Sequence, residues 1–376
     1  MHIDFLPSER TSLGVEMELE IVDRETRELR SGASEILDLM GAGHDGGHPK
    51  AKHELLESTI EIITGVCSTV PEARADLAAT LDEVTTPTAP RAMELLCSGT
   101  HPFSDWADQH ISPNPRYSQL VEEMQWLARR LQIFGIHVHV GVRSAEKAIA
   151  IANALSTYIP HFLALSASSP YWMGRDTGLA SSRSKVFEGL PTAGLPYQLS
   201  GWDEFEAFMT TLVSARSISS IREVWWDIRP HPNFGTVELR ICDGIPTLAE
   251  VAAVAAVSQC LVDWLNNLID RGYTLPVPRT WVLRENKWRA ARHGVDAEII
   301  IDEKGTLSPL RHEVAQLVEE LTPVARRLDC EADLQRALVM AERPSYMRQR
   351  DVVDRGGSLR DVVDSLIAEL RTDTPA

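Results

Sequence analysis

Two common catalytic signatures are missing from this chain of 376 residues. It contains no G-x-x-x-x-G-K-[ST] phosphate loop, so any nucleotide phosphates must be held by metals and basic side chains instead. It also contains no G-x-S-x-G nucleophile elbow, so a covalent acyl-serine route has no sequence support. Cysteine is sparse. Cys67, Cys97, Cys242, Cys260 and Cys330 lie far apart with no C-x-x-C pairing, and their apolar neighbours predict buried free thiols in a reducing cytoplasm.

Positive charge is scarce too. With 37 Lys and Arg against 54 Asp and Glu, the net charge is -17, which argues against nucleic acid as the main partner. A local cluster of metals and arginines can still override that field for a small anion. No uninterrupted apolar run is long enough for a membrane span. The longest, Val251 to Leu265, is broken by Ser258, Gln259 and Asp263 and predicts a buried helix. Residues 1–10 lack a basic stretch followed by an apolar one, so no secretory signal is expected. Gly41-Ala-Gly43-His-Asp-Gly46 spells G-x-G-x-x-G. It follows a predicted helix and precedes a strand, the reverse of the dinucleotide-binding order, and a plain loop is expected.

What is present is a mixture of strands and helices. The predicted helices are Ala33 to Met40, Pro71 to Leu81, Tyr117 to Phe134, Ser144-capped to Leu165, and Asp203 to Ser214. Strands are predicted at Gly14 to Val22, Leu55 to Thr64 and Ile136 to Val142. Glu223 to Arg229 and Thr236 to Cys242 read as a hairpin around Pro230 to Gly235. Ser169 to Leu199 is rich in Gly and Pro and reads as an irregular segment of the kind that forms lids. From Leu248 onward the pattern is helical. No repeat, low-complexity tract or linker is seen, so residues 1–376 are expected to form a single α+β catalytic domain with a helical C-terminal part.

The strands share one unusual pattern. Side chains alternate between the faces of a strand, so Glu16, Glu18 and Glu20 lie together opposite Val15, Met17, Leu19 and Ile21. Glu57 and Glu61 share a face against Ile60 and Ile62, with Glu54 just before them. His137 and His139 oppose Ile136, Val138 and Val140. Asp227 pairs by face with Arg229, and Glu238 with Arg240. Carboxylates in register repel one another, and an exposed antiparallel face is usually filled with Thr, Lys, Gln and Ser. Glu, His and Arg are instead the types that bind hard cations and phosphate, so a functional sheet face is expected, with solvent as the alternative. His137-Val-His139 by itself leaves a zinc site open beside a hydrogen-bonding role. On the helix from Trp281 to His293, the charges at Glu285, Lys287, Arg289 and Arg292 read by spacing as a solvated face.

Several of these segments, in order, resemble the glutamate–cysteine ligase type 2 family, and within it the bacterial carboxylate–amine ligases. They are Gly14 to Glu20, His53 to Gly65, Ser98-Gly-Thr100-His101-Pro102, Gly135 to Gly141, Asp227 to Pro232, Thr236 to Asp243 and Glu285 to Arg292. The resemblance covers residues 13–294, leaving 295–376 as a helical extension. It implies a glutamine-synthetase-like antiparallel sheet with helices behind it, and ATP-dependent joining of a small carboxylate to a small amine. Homodimers, Mg2+ or Mn2+, and a cytoplasmic location are implied with it. Residue by residue, Glu16, Glu18, Glu54, Glu61 and Glu238 would be metal ligands. Arg240, Arg183 and His139 would serve the reacting groups, and Arg240, His137, Lys287 and Arg292 the nucleotide. Glu20, nearer the strand's end, matches no ligand position and is expected to be solvated.

The chemistry implied has two steps, an acyl phosphate made from ATP and a carboxylate, then attack by an amine. Two rivals stay open at this point. One is a zinc-dependent amide hydrolase built on His137 and His139. The other is a non-catalytic regulator that binds a nucleotide or amino acid on the same fold.

Overall fold

The computed structural model describes residues 2–41 and 47–376, so most of the glycine-rich loop at Gly41 to Gly47 lies outside the described residues. Seven strands form one antiparallel sheet: β1 (Leu13–Asp23), β2 (Ala51–His53), β3 (Thr59–Ile63), β4 (Met93–Leu96), β5 (Ile136–Gly141), β8 (Ile228–His231) and β9 (Thr236–Leu239). Their order is β2-β3-β1-β5-β9-β8, with β4 paired to the far end of β1. Between β5 and β8 lies a two-stranded hairpin, β6 (Tyr171–Trp172) with β7 (Arg175–Asp176).

Alternation decides which face is buried. Val15, Met17, Leu19, Ile60, Ile62, Ile136, Val138, Val140, Val237 and Leu239 are all at most 2% exposed and belong to one core. Against this face pack α2 (Val70–Thr88), α5 (Ala145–Leu155) and α9 (Leu248–Asp270). The α9 helix is apolar enough to be mistaken for a membrane span, but nearly all of it is buried inside the protein, as the interrupted run around Ser258 predicts. Thr69 caps α2 through the Glu72 amide and Ser144 caps α5 through the Lys147 amide. All five cysteines are buried and free.

The α+β architecture and the helix-rich C-terminal part are as expected, while several boundaries are not. The predicted helix from Tyr117 to Phe134 is broken into α3 (Pro115–Met124) and α4 (Trp126–Arg129), because Gln125 takes a positive φ of 49° between them. The predicted strand from Leu55 begins only at Thr59, and residues 54–58 form a turn. The predicted strand from Glu223 begins only at Ile228, after a 3-10 turn at Ile221–Glu223. The long helix from Ser144 is interrupted at Ser156–Tyr158 before α6 (Ile159–Ser166), where Pro160 occupies the first turn. Beyond α10 (Thr280–His293) a small hairpin, β10 (Glu298–Ile300) with β11 (Leu307–Pro309), precedes the final helices α11 (Leu310–Arg327), α12 (Glu331–Glu342), α13 (Ser345–Asp354) and α14 (Leu359–Thr372). Arg348 on α13 ties these to α9 by buried bonds to Glu250 at 2.9 Å and Glu369 at 2.6 Å.

Two core histidines give the fold an acid limit. His101 accepts the Ser104 amide at Nδ1 (3.0 Å), which leaves Nε2 to donate to the Arg27 carbonyl at 2.9 Å. Burial pushes its pKa down to about 3, and burial pushes His161 on α6 down to about 4. Both stay neutral in the folded protein but protonate in the unfolded chain near pH 6.5. Their stabilisation is therefore complete above that pH and lost as the pH falls towards 4. At pH 4.5 the pair should cost about 5 kcal/mol of stability relative to pH 7. Urea unfolding across this range checks the slope, and His161→Leu should flatten it by about 1.4 kcal/mol per pH unit.

Candidate active site

The opposite face of the sheet is the floor of a cavity of about 1020 Å3. Register assembles its floor row by row. Lys52, Glu61 and Glu18 line up across β2, β3 and β1, while Glu16 lies beside His137. His139 then lies beside Glu238, and Glu238 beside Arg229. All of these side chains line the cavity together with Glu54, Arg183 and Arg240.

The carboxylates fall into two groups by what balances their charge. Burial alone would raise Glu16, but His137 Nδ1 at 2.9 Å and His139 Nε2 at 3.5 Å outweigh it and hold the carboxyl well below the usual range. Glu238 is likewise buried, yet Arg229 at 2.7 Å and Arg240 keep it ionised and well below the usual range. Glu18, Glu54 and Glu61 lack such balance. Burial, reinforced by the neighbouring Glu54, pushes Glu18 up to about 8. Burial, with carboxylates around it, raises Glu61 well above the usual range, and burial raises Glu54. Lys52, 2.9 Å from Glu61, is the one lysine on this group. The cluster therefore favours protonation when no cation is bound and would ionise fully only with a cation to balance it.

Histidine orientation separates the two H-x-H residues. His137 is pushed down to about 4 by burial and is neutral, so its Nδ1 donates to Glu16 and its Nε2 lone pair is free. Ligand atoms of Glu16, His137 and Glu238 lie within 4.8 Å of one another, a grouping able to hold a cation. Hydrogen bonding of Nδ1 to a carboxylate is how metal-binding histidines are oriented. His137, expected from the sequence as a nucleotide contact, lines the cavity beside Glu16. His139 bonds Thr236 through Nδ1 at 3.0 Å, and its buried Nε2 has no hydrogen-bond partner. Arg183 Nε and Arg240 Nε are also buried without a hydrogen-bond partner. The guanidinium groups of Arg183 and Arg240 in the lining of one cavity supply the positive charge that an oxyanion or phosphate site requires.

Arg183 reaches the site from the N-terminus of α7 (Arg183–Phe187) by a specific route. Asp243, fully buried, accepts the Ser168 amide at 3.0 Å and the hydroxyls of Ser169 and Ser181 at 2.7 and 2.8 Å. Ser169 Oγ in turn accepts the Arg183 amide at 3.1 Å. The guanidinium then lies across Gly135, where a Cβ would collide with Nη2, and contacts the Ile241 carbonyl at 3.3 Å. Asp243→Asn should lower kcat about 10- to 100-fold by loosening Arg183, with KM for ATP much less affected. Steady-state kinetics read this split, and an unchanged kcat would remove Asp243 from the positioning of Arg183.

Other expected residues lie elsewhere. Lys287 is 2% exposed, so it is not on a solvated face; its Nζ is 2.6 Å from both Asp227 and Glu188, away from the cavity lining. Arg292 is exposed, bonds the Gly178 carbonyl and does not line the cavity either. Asp227 precedes β8 and serves Lys287, so it does not share the floor with Arg229. Glu57 points to Ser34 Oγ at 2.7 Å, outside the site. Glu20 is the clearest correction. It is not solvated but fully buried, accepting the Ser98 hydroxyl at 2.7 Å and amide at 3.1 Å, with its pKa well above the usual range through burial.

Residues 12–365 match the family model described as glutamate-cysteine ligase family 2 (GCS2). A Frankia alni protein provisionally named glutamate–cysteine ligase 2-1 is 60% identical over all of this chain and 99% of its own. A Thermobifida fusca protein provisionally named glutamate–cysteine ligase 2 is 54% identical over all of this chain and 95% of its own. Among solved structures, glutamate–cysteine ligase of Francisella tularensis in complex with AMP superposes with a TM-score of 0.68. At 13% identity, over 98% of this chain and 93% of that one, it is a likeness of fold. The matches favour the ligase reading and give the zinc hydrolase and the regulator no support.

Proposed function

Because the chain belongs to glutamate–cysteine ligase family 2, we propose that its cavity joins a small carboxylic acid to a small amine at the expense of ATP. The observation that carries this reading is the meeting of a buried carboxylate cluster with the guanidinium groups of Arg183 and Arg240 in the lining of one cavity. The first needs hard cations and the second needs phosphate oxygens.

The donor set suits Mg2+ or Mn2+: Glu16, Glu238 and His137 have ligand atoms close enough to share one ion, and the carboxyls of Glu18, Glu54 and Glu61, which act on one another across the same lining, supply further oxygens. Bound there, such ions would neutralise the phosphates of ATP and leave them open to attack. Arg240 and Arg183 line the cavity and bring positive charge to where charge grows on the phosphoryl group as it passes to the substrate carboxylate. His139 Nε2, 3.5 Å from Glu16 and 3.7 Å from Glu238, helps hold those two carboxylates in place. The amine then forms a C–N bond to the acyl carbon while the C–O bond to phosphate breaks. Phosphate leaves with the electron pair, and the amine's surplus proton passes to solvent. No enzyme nucleophile is consumed, in keeping with the absence of a nucleophile motif. A cytoplasmic enzyme suits both the ATP requirement and five unpaired thiols.

A matrix of acids and amines, assayed with ATP and Mg2+ for phosphate release, tests the proposal. Release should require both an acid and an amine. ATP turnover absent from every pair, or independent of the amine, would sink it.

A further inference from the structure

One wall of the cavity is made for something neither charged nor small. Leu120, Ile133 and Phe187 line it half-buried, with Phe134, Leu190 and Trp225 behind them. They come from α3, the segment leading into β5, α7 and its following turn, and the turn before β8. Except for Phe134, these side chains pack into one apolar cluster separate from the main core, with Leu55, Leu56 and Tyr117 completing it. The wall adjoins the Gly135 end of β5, where Glu18 accepts the Gly135 amide at 2.6 Å. The opposite end of β5 leads instead to Phe234 and Leu6 at another part of the lining.

Two cations edge this wall. Arg116, one turn before Leu120 on α3, and Arg222, three residues before Trp225, both line the cavity and are exposed; neither makes a close ion pair among the described residues, although Arg116 lies over the Tyr117 ring and its charge acts on Glu54. The other cations lining the cavity serve its sheet floor: Arg229 and Arg240 bond Glu238, Lys52 bonds Glu61, and Arg183 contacts main-chain carbonyls beside the proposed phosphoryl site. An apolar surface rimmed by two unpaired guanidinium groups is complementary to a molecule with an apolar body and one carboxylate.

We propose that the amine substrate of this enzyme is an apolar α-amino acid, its side chain on the Leu120–Ile133–Phe187 wall and its carboxylate on Arg116 and Arg222. This rests on the ligase reading above and names one of its two substrates. The anchored carboxylate is spent on binding and is not the one activated at Arg240, so the group left to react is the amine. The product is an acyl derivative of that amino acid, formed as its nitrogen displaces phosphate from the acyl phosphate. Glutamate, serine and cysteine would leave the wall without an apolar partner.

Calorimetry with the full chain, Mg2+ and a non-hydrolysable ATP analogue tests this without turnover. Leucine and phenylalanine should bind at least about tenfold more tightly than serine or aspartate, the scale set by each buried methylene. Leu120→Gln and Ile133→Thr should each erase most of that preference. Arg116→Gln with Arg222→Gln should weaken phenylalanine but not phenethylamine, which lacks the carboxylate. Equal or tighter binding of serine, cysteine or aspartate by the unaltered chain overturns the inference, whatever the variants do. In the phosphate-release assay, turnover confined to polar amines also overturns it while upholding the ligase. Selective binding of apolar amino acids with no turnover for any acid upholds the wall and sinks the ligase.

Discussion

Glu18→Gln is expected to reduce ATP-dependent phosphate release by roughly a thousandfold or more while leaving the fold intact. The substitution keeps the shape of the side chain and its acceptor for the Gly135 amide, and removes one charge from the cluster of Glu18, Glu54 and Glu61. In the metal-free protein glutamine resembles the protonated carboxyl that burial favours there, so thermal stability should hold or rise. The second reading is binding itself. Saturating Mg2+ with an ATP analogue should stabilise the native protein by about 3 kcal/mol at a hundredfold excess over Kd, and the variant should lose most of that. Glu61→Gln should behave the same way. A Glu18→Gln protein that retains a tenth of native turnover, or its full response to Mg2+, would remove Glu18 from the metal cluster.

Arg240→Lys is expected to cost roughly a hundredfold to a thousandfold in kcat with little change in KM for ATP. Arg240 already spends one nitrogen on Glu238, and the rest of its guanidinium, in the cavity lining, is left for a phosphoryl oxygen. Lysine keeps the charge but lacks the planar fork that serves both partners at once. Arg240→Ala removes one of the two guanidinium groups that hold Glu238 ionised in a buried setting, so it should also destabilise the fold by about 3 kcal/mol. Kinetics of the lysine variant beside unfolding of the alanine variant separate the two roles. A lysine variant with native kcat would show that Arg240 only balances Glu238.

The floor of this site was legible in the sequence wherever a strand ran unbroken. Period-two alternation in β1, β5 and β9 brings Glu16, Glu18, His137, His139, Glu238 and Arg240 to one side without reference to any other part of the chain. Alternation misleads where a strand stops. Glu57 was counted with Glu61, but the turn at 54–58 turns it to Ser34 and brings Glu54 into the cavity instead. Gln125 is a good helix former, and its neighbours keep helical spacing across the break, so nothing local marks the end of α3.

Long-range pairing was the least visible. Lys287 reads as one charge among several on an amphipathic helix. Only the meeting of α10 with Asp227 and Glu188, 60 and 99 positions earlier in the chain, makes it a buried ion pair. Glu20 follows the same logic. Its apparent solvation depended on β1 ending near it, whereas β4 extends the sheet there and Ser98 supplies the buried donors. The carboxyl and imidazole identities were readable; which nitrogen of His137 faces the cavity was not, because that depends on its bond to Glu16.

The two-sidedness of β1 has a consequence for how the chain tolerates change. Because Met17 and Leu19 are wholly enclosed behind Glu16 and Glu18, shifting β1 by one residue would drive those carboxylates into hydrocarbon and expose the aliphatic row to water. No half-correct arrangement can therefore persist in which the protein is compact but its ligands are misplaced. Assembly of the sheet and assembly of the binding groups are one event. A single inserted or deleted residue within Gly14 to Ile21 should thus eliminate folding and activity together.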